Sequence, residues 1–129
     1  MATEGPQPIT ISLTAGATLA TKQYYFVKMS ADNTCIVCAG ATDIPIGVVQ
    51  NKPASGETAE VVVSGVTKVS SDAALTAGNL IGTSGDGQAD AKAVTDTTEY
   101  VVGAVLVGSA AAGGLATAVI NCCNPTRAV

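Results

Sequence analysis

The most reactive side chains in this 129-residue chain are four cysteines, Cys35, Cys38, Cys122 and Cys123. A C-x-x-C pair can hold zinc or run thiol–disulfide chemistry. Here the intervening residues are Ile36 and Val37, both strand formers. A zinc knuckle needs a tight turn between its ligands, whereas strand positions three apart point to opposite faces. The adjacent Cys122 and Cys123 diverge for the same reason. No basic residue adjoins these thiols, so nothing favours the reactive thiolate. The four read as small, apolar, largely buried side chains.

Other chemistry is equally thin. The chain has no His, which removes Ser-His-Asp triads, Cys-His pairs and His metal sites. Phosphate-binding glycine loops, HExxH and GxSxG are absent from the sequence. The run Asp86-Gly87-Gln88-Ala89-Asp90 hints at a calcium loop but lacks the alternating oxygen ligands and the bidentate Glu. The carboxylates are dispersed, with no pair spaced for acid–base work. Lys22, Lys28 and Lys68 read as solvated residues on strand edges, where they discourage aggregation. We expect no catalytic residue, no metal ligand, no cofactor and no small-molecule substrate.

The elements that would position these residues are strands. ITISL (9–13), QYYFVKM (23–29), TCIVCA (34–39), IPIGVVQ (44–50), ETAEVVVS (57–64) and VTKV (66–69) are rich in Val, Ile, Thr and aromatics. NLIGT (79–83), QADAKAV (88–94), YVVGAVLVG (100–108) and LATAVINC (115–122) continue the series. Gly, Pro, Asn or Asp separates most of them. TSGDGQ (83–88) reads as a tight hairpin turn. No window holds a helical period. SSDAAL (70–75) and TDTTE (95–99) allow at most single helical turns, capped by Ser71 or Thr95.

Composition bounds the function. Hydrophobic residues make up 47% of the chain and charged residues 12%, the reverse of a disordered segment. Six basic against ten acidic residues give a net charge of -4, too little clustered positive charge for nucleic acid. With aromatics at 3%, the core must be built from small aliphatic side chains. The start carries no basic region and no apolar core of a secretory signal, so synthesis is expected in the cytoplasm. No charge falls between Glu99 and Arg127, a length that could suggest a membrane span.

An internal repeat argues against that span. LTAG occurs at 13–16 and 75–78, IGVV (46–49) resembles VGAV (102–105), and KPASGETAEVVV (52–63) lies over SAAAGGLATAVI (109–120). The first copy carries Lys52, Glu57 and Glu60 where the suspect segment is uncharged, and a spanning helix would not accept them. The prediction is an all-β fold: a small closed or sandwiched β-barrel of two related halves, about 13–65 and 75–121. Residues 9–129 form this single domain, and residues 1–8 an extended arm biased by Pro6 and Pro8. Thr3, Pro6, Gln7, Pro8, Ile9 and Ile11 are the arm residues expected to bind a partner. Tyr24, Tyr25 and Phe26 form an aromatic cluster split between core and interface.

The segments IPIGVVQNKPASGETAEVVVSGVTKV, LTAGNLIGTSGDGQADAKA and YVVGAVLVGSAAAGGLATAVI resemble the capsid decoration, or head cement, proteins of tailed bacteriophages. The resemblance covers roughly residues 10–121, with its motifs at Gly47–Val69, Ala77–Ala89 and Gly103–Ile120. It implies a structural, non-enzymatic virion protein, usually a homotrimer, on the outer capsid surface. There it would bind the major capsid protein and bridge neighbouring subunits against DNA pressure, with no nucleic-acid or membrane contact. A module that recognises host glycan or protein from a virion or cell surface is the alternative reading, with Tyr24, Tyr25, Phe26 and Tyr100 as its available rings.

Overall fold

The structure, a computed structural model, describes residues 8–127. It is all-β, with no helix among the described residues. The first five strands are β1 (Ile9–Ala15), β2 (Phe26–Ala31), β3 (Thr34–Val37), β4 (Gly47–Val49) and β5 (Thr58–Ser70). They close a barrel in the order β1-β3-β2-β4-β5, with β5 pairing back to β1. The β1–β3 seam is parallel and the other four are antiparallel. Leu13, Ala15, Val27, Cys35, Val49, Ala59 and Val61 fill the interior, and Leu19 joins them from the β1–β2 loop. Full closure leaves this ring no free edge along its sealed seams.

Strand β5 is 13 residues long and does not stop at the first barrel. Past Gly65 it pairs with β10 (Leu115–Asn121), which pairs with β9 (Gly103–Val107), then β6 (Leu80–Thr83) and β7 (Ala89–Ala91). Ser71, next after β5, bridges Ala89 in parallel. This closes a second five-stranded ring on the continuation of the same strand. Its interior holds Val69, Ile81, Ala89, Val105, Ala116 and Ala118. A short ribbon of β8 (Tyr100–Val101) and β11 (Thr126–Arg127) lies beside it.

The two rings share one pairing scheme. Val48↔Val62 and Val49↔Val61 of the first correspond to Ala104↔Val119 and Val105↔Ala118 of the second. Val27↔Val37 and Met29↔Cys35 correspond to Ile81↔Ala91 and Thr83↔Ala89. Leu13↔Ala59 and Ser12↔Glu60 correspond to Val69↔Ala116 and Lys68↔Thr117. The loops agree as well. Leu19 N–H donates to the Pro53 carbonyl at 2.8 Å, and Leu75 N–H to the Ser109 carbonyl at 2.8 Å.

These registers differ from the LTAG alignment. Leu13 lies within a barrel wall and its geometric counterpart is Val69, whereas Leu75 caps a barrel end and its counterpart is Leu19. Four shared letters outweighed wall position, because small residues recur at many places in such a chain. Other expected elements also differ. The segments 57–64 and 66–69 are one strand, and 100–108 is two strands broken at Val102. The runs 70–75 and 95–99 form no helix: Ser71 is committed to the parallel bridge, and Asp96 closes a turn by accepting Ala93 N–H at 2.8 Å.

Candidate interaction surface

The aromatic run enters strand β2 abruptly. Tyr24 has φ 67, a left-handed conformation costly for a bulky residue, so alternation begins at Phe26 and not at Gln23. Tyr24 is half-buried against the second barrel's core, and Phe26 is 0% exposed. Tyr25 is half-buried with the Lys22 ammonium 4.9 Å from its ring centre, a cation–π contact.

The seams of the two barrels explain why Phe26 is buried. In the first barrel Thr14 N–H donates to the Asn33 carbonyl at 2.8 Å, across the parallel seam. The counterparts in the second barrel are Ser70 and Gly87, and they are parted. Ser70 N–H donates to the Tyr24 carbonyl at 2.9 Å, and the Gly87 carbonyl accepts from Phe26 N–H at 2.7 Å. The backbone of Tyr24–Phe26 thus bonds to both sides of the second barrel's seam. The Phe26 ring joins a core cluster that includes Val69, Leu75 and Ala89. It is an internal contact between the halves, with no exposed part of the ring.

The arm residues divide similarly. Ile9 and Ile11 are in β1, paired with Ser64 and Val61. Ile11 packs against the first core, so it belongs to the barrel wall and is not free arm. Ile9 is 59% exposed. Pro8 sits over Gly65, where an added Cβ would stand 2.8 Å from the Pro8 Cα. Thr3, Pro6 and Gln7 lie outside the described residues.

The polar groups pair among themselves. Lys28 Nζ is 2.8 Å from Asp43 Oδ2, and Asp43 also accepts the N–H groups of Ala39 and Gly40. Burial pushes the Asp43 carboxyl up, but Lys28 and these N–H donors outweigh it and hold it below its ordinary value. Lys92, whose side chain is fully buried, contacts Glu99, reaches the Thr83 carbonyl at 2.8 Å and Asp90 at 3.4 Å. These geometries neutralise buried charge, and among the described residues no buried side-chain polar atom lacks a partner. Cys35 lies in the first core and Cys38 in the second, facing opposite ways as the strand spacing required. Burial pushes Cys38 and Cys122 up to about 12, far from a reactive thiolate.

One surface feature was not anticipated. Leu80, Ala104, Val119 and Val66 stand opposite one another across β6, β9, β10 and β5. They form a straight outward row beside a shallow groove rimmed by Asn121, Asn124 and Thr126. Sequence alternation could mark each as outward or inward, but not align four strands so far apart in the chain.

No protein-family model matches the chain, and no curated protein matches it. Among solved structures it is similar to the head fiber gp8.5 N base of bacteriophage phi29. The TM-score is 0.64 at 18% identity, covering 90% of this chain and 96% of that one. The likeness is one of fold, and it extends over both barrels.

Proposed function

We propose that this protein is a structural component of a tailed-phage head, bound to the outer surface of the capsid. The observation that carries this reading is the fold likeness to a phage head fiber base over nine-tenths of the chain. Two features support it. Two of the three decoration-protein motifs fall on corresponding strand pairs, β4–β5 and β9–β10, and Lys28 and Lys92 are spent on internal ion pairs. The partners in this reading are the major capsid protein and further copies of the chain, as a homotrimer. The protein bridges neighbouring capsid subunits and resists the pressure of packaged DNA. Weak single contacts suffice, because an oligomer engages several subunits at once. The two related barrels are read as products of duplication. A glycan-binding role fits less well, since Tyr24 and Phe26 are engaged in the core and offer little open aromatic platform.

Residues 1–8 serve as the attachment arm, adding main-chain hydrogen bonds to a capsid strand. Pro8, the one described residue of this arm, is exposed and precedes β1, and removal of the arm should spare the fold. Co-sedimentation with purified capsids tests the reading. The full-length protein should pellet with capsids, and a variant lacking residues 1–8 should melt normally but bind orders of magnitude more weakly. Failure of the full-length protein to pellet with any capsid form would remove the proposal. Unchanged binding by the truncated form would move the attachment to the loops.

A further inference from the structure

We infer that the row Leu80–Ala104–Val119–Val66 is where copies of this chain meet. This deepens the oligomer of the proposed function, but its test needs no capsid, so the two can fail separately. The row has a counterpart in the same molecule. By the shared pairing scheme, Leu80, Ala104 and Val119 correspond to Phe26, Val48 and Val62 of the first barrel. Those three are 0%, 0% and 3% exposed, because the second barrel lies against them. In the second barrel the same positions are uncovered. Leu80 is 52% exposed, Val119 is 40% and Val66, beside it, is 43%. Leu80 and Val119 thus hold open an apolar face of the kind that the first barrel buries.

The occupant is a second copy, which brings barrels of the same kind, and charge supports that choice. Each chain carries a net charge of -4, so copies repel unless they meet through uncharged surface. Strands β9 and β10 fall wholly within the charge-free segment between Glu99 and Arg127, and β6 carries no charge. The rim of Asn121, Asn124 and Thr126 is polar but neutral. An apolar centre within a neutral polar rim is the ordinary anatomy of a protein interface. Like-charged copies can press such faces together without burying an unpaired ion.

Sedimentation velocity on the purified full-length chain at micromolar concentration tests this. Wild type should sediment as an oligomer. Leu80→Asp and Val119→Asp should shift it to monomer, weakening association by about tenfold or more. Met29→Asp, at an exposed site on the first barrel, should leave association unchanged. Thermal melts of the variants should remain cooperative, since both row residues are exposed. A monomeric wild type would overturn the inference. So would folded Leu80→Asp and Val119→Asp variants that associate as wild type does, or a Met29→Asp variant that dissociates equally.

Discussion

Lys92 packs close beside Gly82: a Cβ on Gly82 would collide with the Tyr100 carbonyl oxygen and stand 3.0 Å from Lys92 Cε. In the first barrel the counterpart of Gly82 is Lys28, which reaches Asp43 directly. Asp43 and Glu99 hold matching places, each just after a tight turn, with N–H bonds to Gly40 at 3.0 Å and Asp96 at 2.9 Å. Both barrels therefore keep a cation against the carboxylate before the next strand. They draw the lysine from different positions, and the second version is buried.

That burial makes the partners unequal. Glu99→Ala would leave the buried Lys92 ammonium with only the Thr83 carbonyl at 2.8 Å and Asp90 at 3.4 Å, and should cost about 1–3 kcal/mol. Lys92→Met leaves only partly exposed carboxylates behind and should cost less. Urea denaturation of the two variants gives the order, and a larger loss from Lys92→Met would contradict it.

Gly47 and Gly103 should behave as a matched pair. A Cβ on Gly47 would collide with the Val62 carbonyl oxygen, and one on Gly103 with the Val119 carbonyl oxygen. Each alanine variant should lose at least about 1–3 kcal/mol by overpacking between paired strands. Because they lie in different barrels, the double variant should be additive within roughly 0.5 kcal/mol. Chemical denaturation checks both values.

Two carboxylates should respond to pH in opposite directions. Burial, with the charges of Asp86 and Asp90, raises Asp72 above its ordinary 3.8. Its contribution to stability is present below that value and lost as pH rises through the folded one. At pH near 7 the ionised group is a net cost, so Asp72→Asn should raise the melting temperature, with the gain shrinking in acid. Asp43 is lowered from 3.8, so its contribution is present above that value and lost as pH falls through the folded one. Asp43→Asn should lower the melting temperature at pH near 7 and matter less in acid. Lys28 is raised above 10.5, chiefly by its bond to Asp43, so the pair also loosens as pH climbs beyond that value. Melting curves across pH would show the crossing trends.

The thiols should be counted by accessibility. Cys123 is exposed, and Cys35, Cys38 and Cys122 are buried. One thiol per folded chain should react quickly with a disulfide reagent at neutral pH, and all four after denaturation. Rapid reaction of two or more in the folded protein would show an opening that the barrels do not provide.

The strand-rich character of the chain and its approximate repeat were legible because Val, Ile and Thr alternate between small turns. The match of 46–49 to 102–105 falls on geometrically corresponding positions, and that of 52–63 to 109–120 does so from Ala54 on but is one residue out at Pro53, whose counterpart is Ser109. The continuity of β5 was hidden by Gly65, which reads as punctuation. At φ 124 this glycine keeps the strand going while its missing side chain admits Pro8. Phe26 looked divisible between core and surface, since sequence cannot show that the second barrel's seam parts around its backbone. The row from Leu80 to Val66 was illegible for a related reason. Its members come from four strands, and their alignment exists only once both rings have closed.

The continuity of β5 has a mechanical meaning. Two domains joined by a linker can pivot, and load on one reaches the other through a slack tether. Here a single backbone forms a wall of both rings, so the joint is itself hydrogen-bonded on its flanks. A pull along β5 is shared by its ladders to β1 and β4 on one side of Gly65 and β10 on the other. Such ladders resist in shear, many bonds at once, and do not unzip singly. The pair of barrels acts as a strut with no hinge at its midpoint.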